Sequence, residues 1–251
     1  MLPEIWIIDT YTLCILVGVV LGLLLVNVLG KKYELKKTYV LDLTILAIVS
    51  ICAGLLTASL AQWIFNLIGG NNEFSGMTFY GGLIGGAGIF ILGFFIVIKK
   101  IHKEKANFMD CLVIAPSIIT LCHAFGRIGC FMAGCCYGIE TDSFLGVMFP
   151  GHHHKVYPTQ LFESFFLFLL TLVLYILAIK KRFKYSMPLY MISYGIWRFL
   201  IEFIRGDDRG GYILGLSPAQ FISIFIVIGG IVLIFIFKKI TYPRKIDEEN
   251  N

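Results

Sequence analysis

Long apolar stretches alternate with short polar ones along the whole chain. Each apolar stretch holds about 18 residues or more, and a helix of about 20 residues spans the roughly 30 Å hydrocarbon core of a bilayer. We therefore predict an all-α integral membrane protein with seven transmembrane helices in a single domain over residues 1–251. The predicted spans cover about residues 5–30, 40–68, 77–98, 107–129, 160–179, 186–205 and 217–237.

The composition agrees with this pattern. Hydrophobic residues make up 58% of the 251 residues and charged residues only 15%, which excludes a soluble globular protein. The formal net charge of +5 does not indicate nucleic-acid binding, because the basic residues form short clusters between the apolar stretches. No basic residues precede the first span and no small-residue cleavage site follows it, so we expect a retained helix and not a signal peptide.

The basic clusters follow alternate spans and so predict the orientation of the chain. Cytoplasmic loops carry an excess of Lys and Arg, which places the amino terminus outside and the carboxyl terminus in the cytoplasm. One long outer segment is then predicted at about residues 130–159, between the fourth and fifth helices, and a disordered cytoplasmic tail at Lys245–Asn251. The clusters contain sixteen of the 21 Lys and Arg residues, namely Lys31, Lys32, Lys36, Lys37, Lys99, Lys100, Lys103, Lys105, Lys180, Lys181, Arg182, Lys184, Lys238, Lys239, Arg244 and Lys245.

Three ionisable residues lie inside the sixth span. Arg198, Glu202 and Arg205 are four and three residues apart, so a helix places them on one face. An unpaired charge in the membrane costs at least about 2.5–3.5 kcal/mol, so we expect these side chains to pair with one another or to bind a ligand. Glu202 can neutralise one arginine, which leaves a cation for an anionic ligand such as a lipid phosphate. The alternative is a structural set of ion pairs that holds helices together.

A glycine-rich run interrupts the end of the fourth span. We expect the backbone to break within residues 126–138 and to open toward a cavity into which Arg127 points. Glu163 lies near the outer end of the fifth span and needs a basic partner, for which Arg127 is the candidate.

The third span carries five closely spaced glycines. Small residues one helical turn apart let a neighbouring helix approach closely, so we interpret these glycines as a packing surface. The alternative is a surface that leaves room beside a lipid chain. The glycines are Gly81, Gly82, Gly85, Gly86 and Gly88.

The seven cysteines fall into two groups. Four lie inside apolar spans and are interpreted as packing residues. The other three lie near the predicted outer surface, where a disulfide between the first and one of the other two could form. A zinc site would need a fourth ligand, for which the histidines at 152–154 are the candidates, and we expect no metal. Structural substitution and a covalent cysteine intermediate are the remaining interpretations. The two groups are Cys14, Cys52, Cys111 and Cys122, and Cys130, Cys135 and Cys136.

Several short motifs occur in a fixed order between residues 11 and 220. Residues 76–82 read GMTFYGG, 126–138 GRIGCFMAGCCYG, 157–163 YPTQLFE and 197–205 WRFLIEFIR, the last continued by Asp208. They resemble motifs of the bacterial prolipoprotein diacylglyceryl transferases, which read Gly-Met-Ser-Phe-His-Gly-Gly, Gly-Arg-x-Gly-Asn-Phe-x-Asn-x-Glu-x-x-Gly, His-Pro-Ser/Thr-Gln-Leu-Tyr-Glu and Phe-Arg-x-x-x-Glu-Phe-x-Arg. Tyr11 and the LSPAQ run at 216–220 are similar to positions in that family's first and last helices. The resemblance covers most of the chain.

This resemblance implies an enzyme of lipoprotein biosynthesis in the bacterial cytoplasmic membrane. Such an enzyme transfers diacylglycerol from phosphatidylglycerol to the lipobox cysteine thiol in the signal peptide of a prolipoprotein, and it releases glycerol phosphate. We expect a monomer surrounded by membrane lipid, with no cofactor and no nucleic-acid partner. The implied catalytic residues are Tyr80, Arg127, Arg198 and Glu202, and the implied substrate-binding residues are Tyr11, Gly129, Gly138, Gln160, Glu163 and Arg205.

The chain departs from the family pattern at positions that carry polar chemistry. Tyr80 stands where the family has a histidine, and Cys130, Met132 and Cys135 stand where its signature has two asparagines and a glutamate. Because the reference pKa of tyrosine is about 10, Tyr80 suits a hydrogen-bond donor better than a base, which leaves thiol deprotonation to solvent, Glu202 or Glu163. The alternatives are a nonenzymatic member that binds or moves phospholipid, and a transferase with a different acceptor.

The orientation can be tested with topology reporters. A reporter fused after Lys184 should be cytoplasmic and one inserted near His153 should be external, because the basic clusters stay on the cytoplasmic side. Protease or alkylation accessibility in intact cells measures both positions. A cytoplasmic reporter at His153 would show that the number of spans is wrong.

Overall fold

The protein is all-helical, as its apolar pattern predicts. The computed structural model describes residues 4–5, 8–68, 79–101, 107–151, 153–206 and 215–242. Within these residues lie seven helices: α1 (Thr10–Lys32), α2 (Lys37–Ile68), α3 (Phe79–Gly93, continued by a π-helical segment, Phe94–Ile101), α4 (Phe108–Ala133), α5 (Thr159–Lys181), α6 (Ser186–Ile201, followed by a 3₁₀ turn, Glu202–Ile204) and α7 (Pro218–Lys238).

These helices have the length and surface of a multi-pass membrane protein. Within the described part of the chain, six of them are long and apolar enough to cross a membrane. The remaining helix, α6, has 16 residues and a length of about 24 Å, and the 3₁₀ turn extends it. Large apolar side chains are exposed along the helices, such as Phe165 at 67% and Leu56 at 66%. Exposure on this scale requires hydrocarbon as the surrounding solvent.

The first helix begins later than the sequence predicts. Residues Glu4–Ile5 (β1) and Ile8–Asp9 (β2) pair as two short antiparallel strands, and α1 starts at Thr10. The carboxylate of Asp9 accepts hydrogen bonds from the backbone N–H and the hydroxyl of Thr12, both at 2.7 Å. An aspartate that accepts from a first-turn N–H is a helix cap, so the predicted start near residue 5 is wrong.

The backbone break expected in the glycine-rich run is found within residues 126–138. Helix α4 continues without interruption through Gly126 and Gly129 to Ala133, and the turn comes at Gly134, whose φ is +71°. Gly129 serves close packing instead, because a Cβ at this position would lie 3.1 Å from the Tyr11 ring and 3.2 Å from the Tyr11 carbonyl oxygen.

The structure divides into two compact units, of which the second is Val26–Phe108. Within it, α2 packs against α3 through the predicted glycine surface. The Thr57 hydroxyl donates to the Gly81 carbonyl oxygen at 2.8 Å, and a Cβ added at Gly82 or Gly86 would lie 3.3 Å or less from atoms of α2. Only Gly88 of the five glycines has open space around it. The packing interpretation is therefore confirmed for the other four.

The first unit comprises Met1–Leu25 and Met109–Asn251. Its helix α4 contacts α1 at Gly18, where an added Cβ would lie 2.8 Å from the Phe125 Cβ. It is joined to α5 by hydrogen bonds from the Ser164 hydroxyl to the Ala124 carbonyl oxygen (3.0 Å) and between the hydroxyls of Thr171 and Thr120 (2.8 Å). These polar contacts replace water for groups buried among apolar helices, and they fix the register of α4 on α5.

The described residues of the segment between α4 and α5 include no helix, but their backbone is well paired. Val147 and Val156 exchange two backbone hydrogen bonds at 3.0 Å. Gly138 donates to the Tyr157 carbonyl oxygen at 2.8 Å, and Ile139 donates to that of Ile204 at 2.9 Å. The segment is therefore held against both the start of α5 and the end of α6.

We expect Gly81→Ala to destabilise the protein, because a Cβ there would lie 2.6 Å from the Ala61 Cβ and 2.7 Å from the backbone oxygen of Thr57. Overpacking of this kind costs about 1–3 kcal/mol. The matched control is Gly88→Ala on the same helix, where no atom lies within 4 Å, so helix propensity should leave stability equal or higher. Thermal unfolding in detergent measures both, and equal transition temperatures would contradict the packing described here.

Candidate active site

A buried ion pair joins α4 to α5. Arg127 Nε lies 3.0 Å from Glu163 Oε2, with the Glu163 side chain fully buried and that of Arg127 13% exposed. An ionised carboxylate cannot remain in such surroundings without a partner, so each residue requires the other. The pairing predicted from the sequence is confirmed.

Two further side chains complete the surroundings of Glu163. Tyr194 on α6 donates its hydroxyl to Glu163 Oε1 at 3.0 Å. His123 Nε2 lies 3.8 Å from the same oxygen, and its ring packs edge-on against Tyr194 at 5.2 Å between centroids. The sequence interpretation missed both residues. The available signal was spacing, since His123 precedes Arg127 by four residues and Tyr194 precedes Arg198 by four.

A second carboxylate organises the end of α6. Glu202 Oε2 accepts a 2.5 Å hydrogen bond from Arg198, and Arg205 Nε lies 4.0 Å from the same oxygen. The Ser217 hydroxyl donates to the other oxygen, Oε1, at 2.8 Å. The three predicted residues do share one face, and Glu202 contacts both arginines. Ser217 had been recognised only as the start of the last helix, and it also caps α7 in a capping box with Gln220.

The two carboxylates belong to one electrostatic site. Tyr194, which donates to Glu163, and Arg198, which donates to Glu202, lie one turn apart on α6. The side chains of Arg198 and Arg205 are only 8% and 2% exposed, so the first unit buries three guanidinium groups against two carboxylates. Each guanidinium carries five N–H donors, and guanidinium groups bind ligands that present several acceptor oxygens.

The loop after α4 is held by the first turn of α5. The Thr159 hydroxyl donates to the Cys136 carbonyl oxygen at 2.8 Å, and Gln160 Nε2 donates to that of Cys135 at 2.5 Å. Gln160 is fully buried. The structure thus places this predicted substrate-binding residue on the loop backbone, where it positions the loop.

The same loop brings three thiols together. The Sγ atoms of Cys130, Cys135 and Cys136 all lie within 4.8 Å of one another, and none of the three forms a disulfide. Cys136 adopts a left-handed backbone conformation with φ of +67°. Hydrogen bonds from Cys130 and Cys135, and then one from Arg205, hold the pKa of the Cys136 thiol well below its ordinary value. Among the described residues, these cysteines form the group that could hold a metal ion.

The remaining predicted site residues lie in separate parts of the structure. Tyr11 lies in the first turn of α1 against Gly129, and its side chain is 40% exposed. Gly138 lies where three segments meet, since a Cβ there would come within 2.6 Å of the Ile204 carbonyl oxygen. Tyr80 is the second residue of α3, in the second unit, and its side chain lies outside the described part of the structure, as does Asp208.

The chain is similar to a family profile and to several known proteins that carry the same name. The family profile described as prolipoprotein diacylglyceryl transferase matches residues 3–236. Phosphatidylglycerol–prolipoprotein diacylglyceryl transferase 2 of Clostridium perfringens (strain 13 / Type A) is 37% identical over 252 residues, which cover 92% of this chain and 93% of that protein. The phosphatidylglycerol–prolipoprotein diacylglyceryl transferase of Clostridium tetani (strain Massachusetts / E88) is 36% identical, with 88% and 90% covered. That of Francisella tularensis subsp. tularensis (strain SCHU S4) is 40% identical over 172 residues, which cover 66% and 62%.

Proposed function

This chain belongs to the prolipoprotein diacylglyceryl transferase family, and on that premise we propose that it transfers a diacylglyceryl group from phosphatidylglycerol to the lipobox cysteine thiol of prolipoproteins. It does so as a multi-pass protein of the bacterial cytoplasmic membrane. The observation that carries the proposal is the set of buried arginines at 127, 198 and 205, held among apolar helices by two carboxylates.

The arginines suit the phosphate of a phospholipid. A phosphodiester presents several acceptor oxygens, and guanidinium groups bind such oxygens in bidentate geometry with charge-assisted hydrogen bonds. Glu163 and Glu202 hold the guanidinium groups in place before the lipid binds, so little reorganisation is needed. The exposed apolar helix surfaces let the acyl chains remain in hydrocarbon while the phosphate contacts the arginines.

The reaction moves negative charge onto the phosphate. The acceptor sulfur, as a thiolate, attacks the carbon of the diacylglyceryl group that is bonded to the phosphate oxygen. The C–O bond breaks, and its electron pair remains on the phosphate oxygen. Glycerol phosphate therefore leaves with one more negative charge than the phosphodiester had. Cations fixed in a water-poor site stabilise that developing charge, and this is the role we assign to Arg127 and Arg198.

The acceptor thiol must lose its proton before or during the attack. Its resting pKa is about 8.5, so little thiolate is present at neutral pH. Neither predicted base is free for this task, because Glu163 already binds Arg127 and Tyr194, and Glu202 binds Arg198 and Ser217. Protonation of either carboxylate would weaken the ion pair that positions an arginine. We therefore assign both glutamates to positioning.

We expect Arg127→Ala and Arg198→Ala each to lower the transfer rate about 10²–10³-fold, because loss of one preorganised donor from a transition-state site costs about 2.7–4 kcal/mol. The measurement is transfer from labelled phosphatidylglycerol to a lipobox peptide by purified protein at matched abundance. Wild-type turnover in both variants would remove these arginines from the mechanism.

A lysine in place of Arg198 keeps the positive charge but removes the planar guanidinium group, so it separates the effect of charge from that of geometry. Arg198→Lys should also be poor, since a lysine is a point charge and cannot reproduce the planar guanidinium fork that contacts Glu202 and would bind phosphate. Arg182→Lys, at the end of α5, is the control and should retain transfer.

Substitution of Tyr80 tests the role of this residue, which stands where the family pattern has a histidine. If the tyrosine donates a hydrogen bond to the phosphate or thiol, Tyr80→Phe should lose most transfer activity, and Tyr80→His should retain or raise it because a near-neutral base is restored. Transfer is measured across pH, with Tyr175→Phe in α5 as the control. Full activity in Tyr80→Phe would show that the hydroxyl has no role, and bound lipid without transfer in the wild type would favour the nonenzymatic alternative.

A further inference from the structure

The three thiols at the end of α4 are spaced like an incomplete metal site. In a tetrahedral zinc site with Zn–S bonds of about 2.3 Å, neighbouring sulfurs are about 3.8 Å apart. The Sγ atoms of Cys130, Cys135 and Cys136 already lie within 4.8 Å of one another. The sulfurs therefore need to approach by at most about 1 Å to reach this spacing, which rotation of cysteine side chains supplies.

The arrangement is held by the surrounding structure. Thr159 and Gln160 bind the carbonyl oxygens of Cys136 and Cys135, and the backbone N–H of Cys135 donates to the Cys130 carbonyl oxygen at 3.1 Å. Cys136 keeps a left-handed conformation that is unfavourable for a residue with a Cβ. Backbone strain that is maintained in this way is frequent at functional sites.

We propose that Cys130, Cys135 and Cys136 bind a zinc ion whose fourth coordination position receives the acceptor thiol of the prolipoprotein. The metal-binding part stands on the thiol geometry alone, and the acceptor part rests on the proposed function. Zinc sites that act in catalysis have three protein ligands and an open fourth position, which matches three cysteines among the described residues. Among the described residues the group contains no histidine, so in this proposal the fourth ligand is the substrate and not the histidine loop at 152–154.

The charges near the cluster are suited to such a site. Three thiolates and one Zn²⁺ have a net charge of −1, and Arg205, which contacts Cys136, can balance it. Arg127 also acts electrostatically on Cys130 and Cys136. Cys130 is three residues after Arg127 on α4, so the helix places the metal and the phosphate-binding cation on adjacent positions of one face.

Zinc coordination would solve the deprotonation problem that the two glutamates leave open. A thiol that coordinates the metal loses its proton, here to water, and remains a nucleophile as a zinc-bound thiolate. The sulfur then attacks the diacylglyceryl carbon that is bonded to the phosphate oxygen. The C–O bond breaks, and glycerol phosphate departs with the electron pair of that bond. The metal stays divalent throughout. The thioether product is neutral and is a weaker ligand than a thiolate, so the fourth position reopens.

Metal binding is measured first, without reference to activity. Full-length protein in detergent is reduced, stripped with a chelator and titrated with Zn²⁺, and separately with Co²⁺, whose thiolate complexes show sulfur-to-cobalt charge-transfer absorption. We expect a single ion per chain with this absorption. Cys130→Ser and Cys135→Ser should each weaken binding by more than about tenfold, since even outer contacts of a metal site contribute that much. Cys52→Ser, an exposed cysteine in α2, is the control and should bind as the wild type does.

The acceptor position is tested on the cobalt form. A lipobox peptide should shift the cobalt absorption, and the same peptide with serine in place of its cysteine should not. Absence of stoichiometric binding, unchanged binding in both serine variants, or an unchanged spectrum with the cysteine peptide would each overturn the proposal.

A transfer assay separates this proposal from the proposed function. Zinc-free wild type should transfer at least about tenfold more slowly than the zinc-loaded protein, because the acceptor thiol is mostly protonated at neutral pH. Full transfer by zinc-free protein, lost on His123→Gln, would assign deprotonation to that imidazole and overturn the zinc proposal while the function stands. Zinc binding without lipid transfer under any condition would refute the function and leave metal binding by the three cysteines standing.

Discussion

The pairing of Arg127 with Glu163 is the interaction on which the rest of the first unit depends. A fully buried carboxylate in a membrane protein is tolerated only when a cation and hydrogen-bond donors surround it. Here α4 supplies the arginine, α5 the carboxylate and α6 the Tyr194 hydroxyl, so three helices must keep their relative register. Slippage of any of them by one turn, about 5.4 Å, would leave a charge unpaired.

At the end of α6 a second carboxylate, Glu202, likewise needs a cation and hydrogen-bond donors around it. Glu202 accepts from Arg198 on its own helix and from Ser217, the residue that caps α7. The start of α7 is therefore tied to the carboxylate that orients the arginine, and the glycine contacts between α6 and α7 extend this attachment along the helices. An arginine held in this way binds an anion without a large entropic loss, because its rotamers are already restricted.

The sequence predicted the elements better than it predicted their contacts. Apolar length identified the seven helices that the structure describes, because hydrocarbon thickness imposes a span that can be counted. The packing role of Gly129 was missed, since nothing in a sequence shows that Tyr11 packs against it. Tyr194 was missed for the same reason, because its hydroxyl is important only through a carboxylate 31 residues away. The Arg127–Glu163 pair was predictable because the cost of an unpaired charge demands a partner.

The first turn of α5 explains how the cysteines fit into this family pattern. Thr159 and Gln160 hold the loop through the backbone carbonyl oxygens of residues 135 and 136, so they place no demand on the side chains there. Glu163, one turn later on the same helix, fixes Arg127. Loop position and cation position are therefore both set by α5, whichever side chains the loop carries. Thiols can stand where the signature has other polar groups, while Arg127 keeps its position against Glu163.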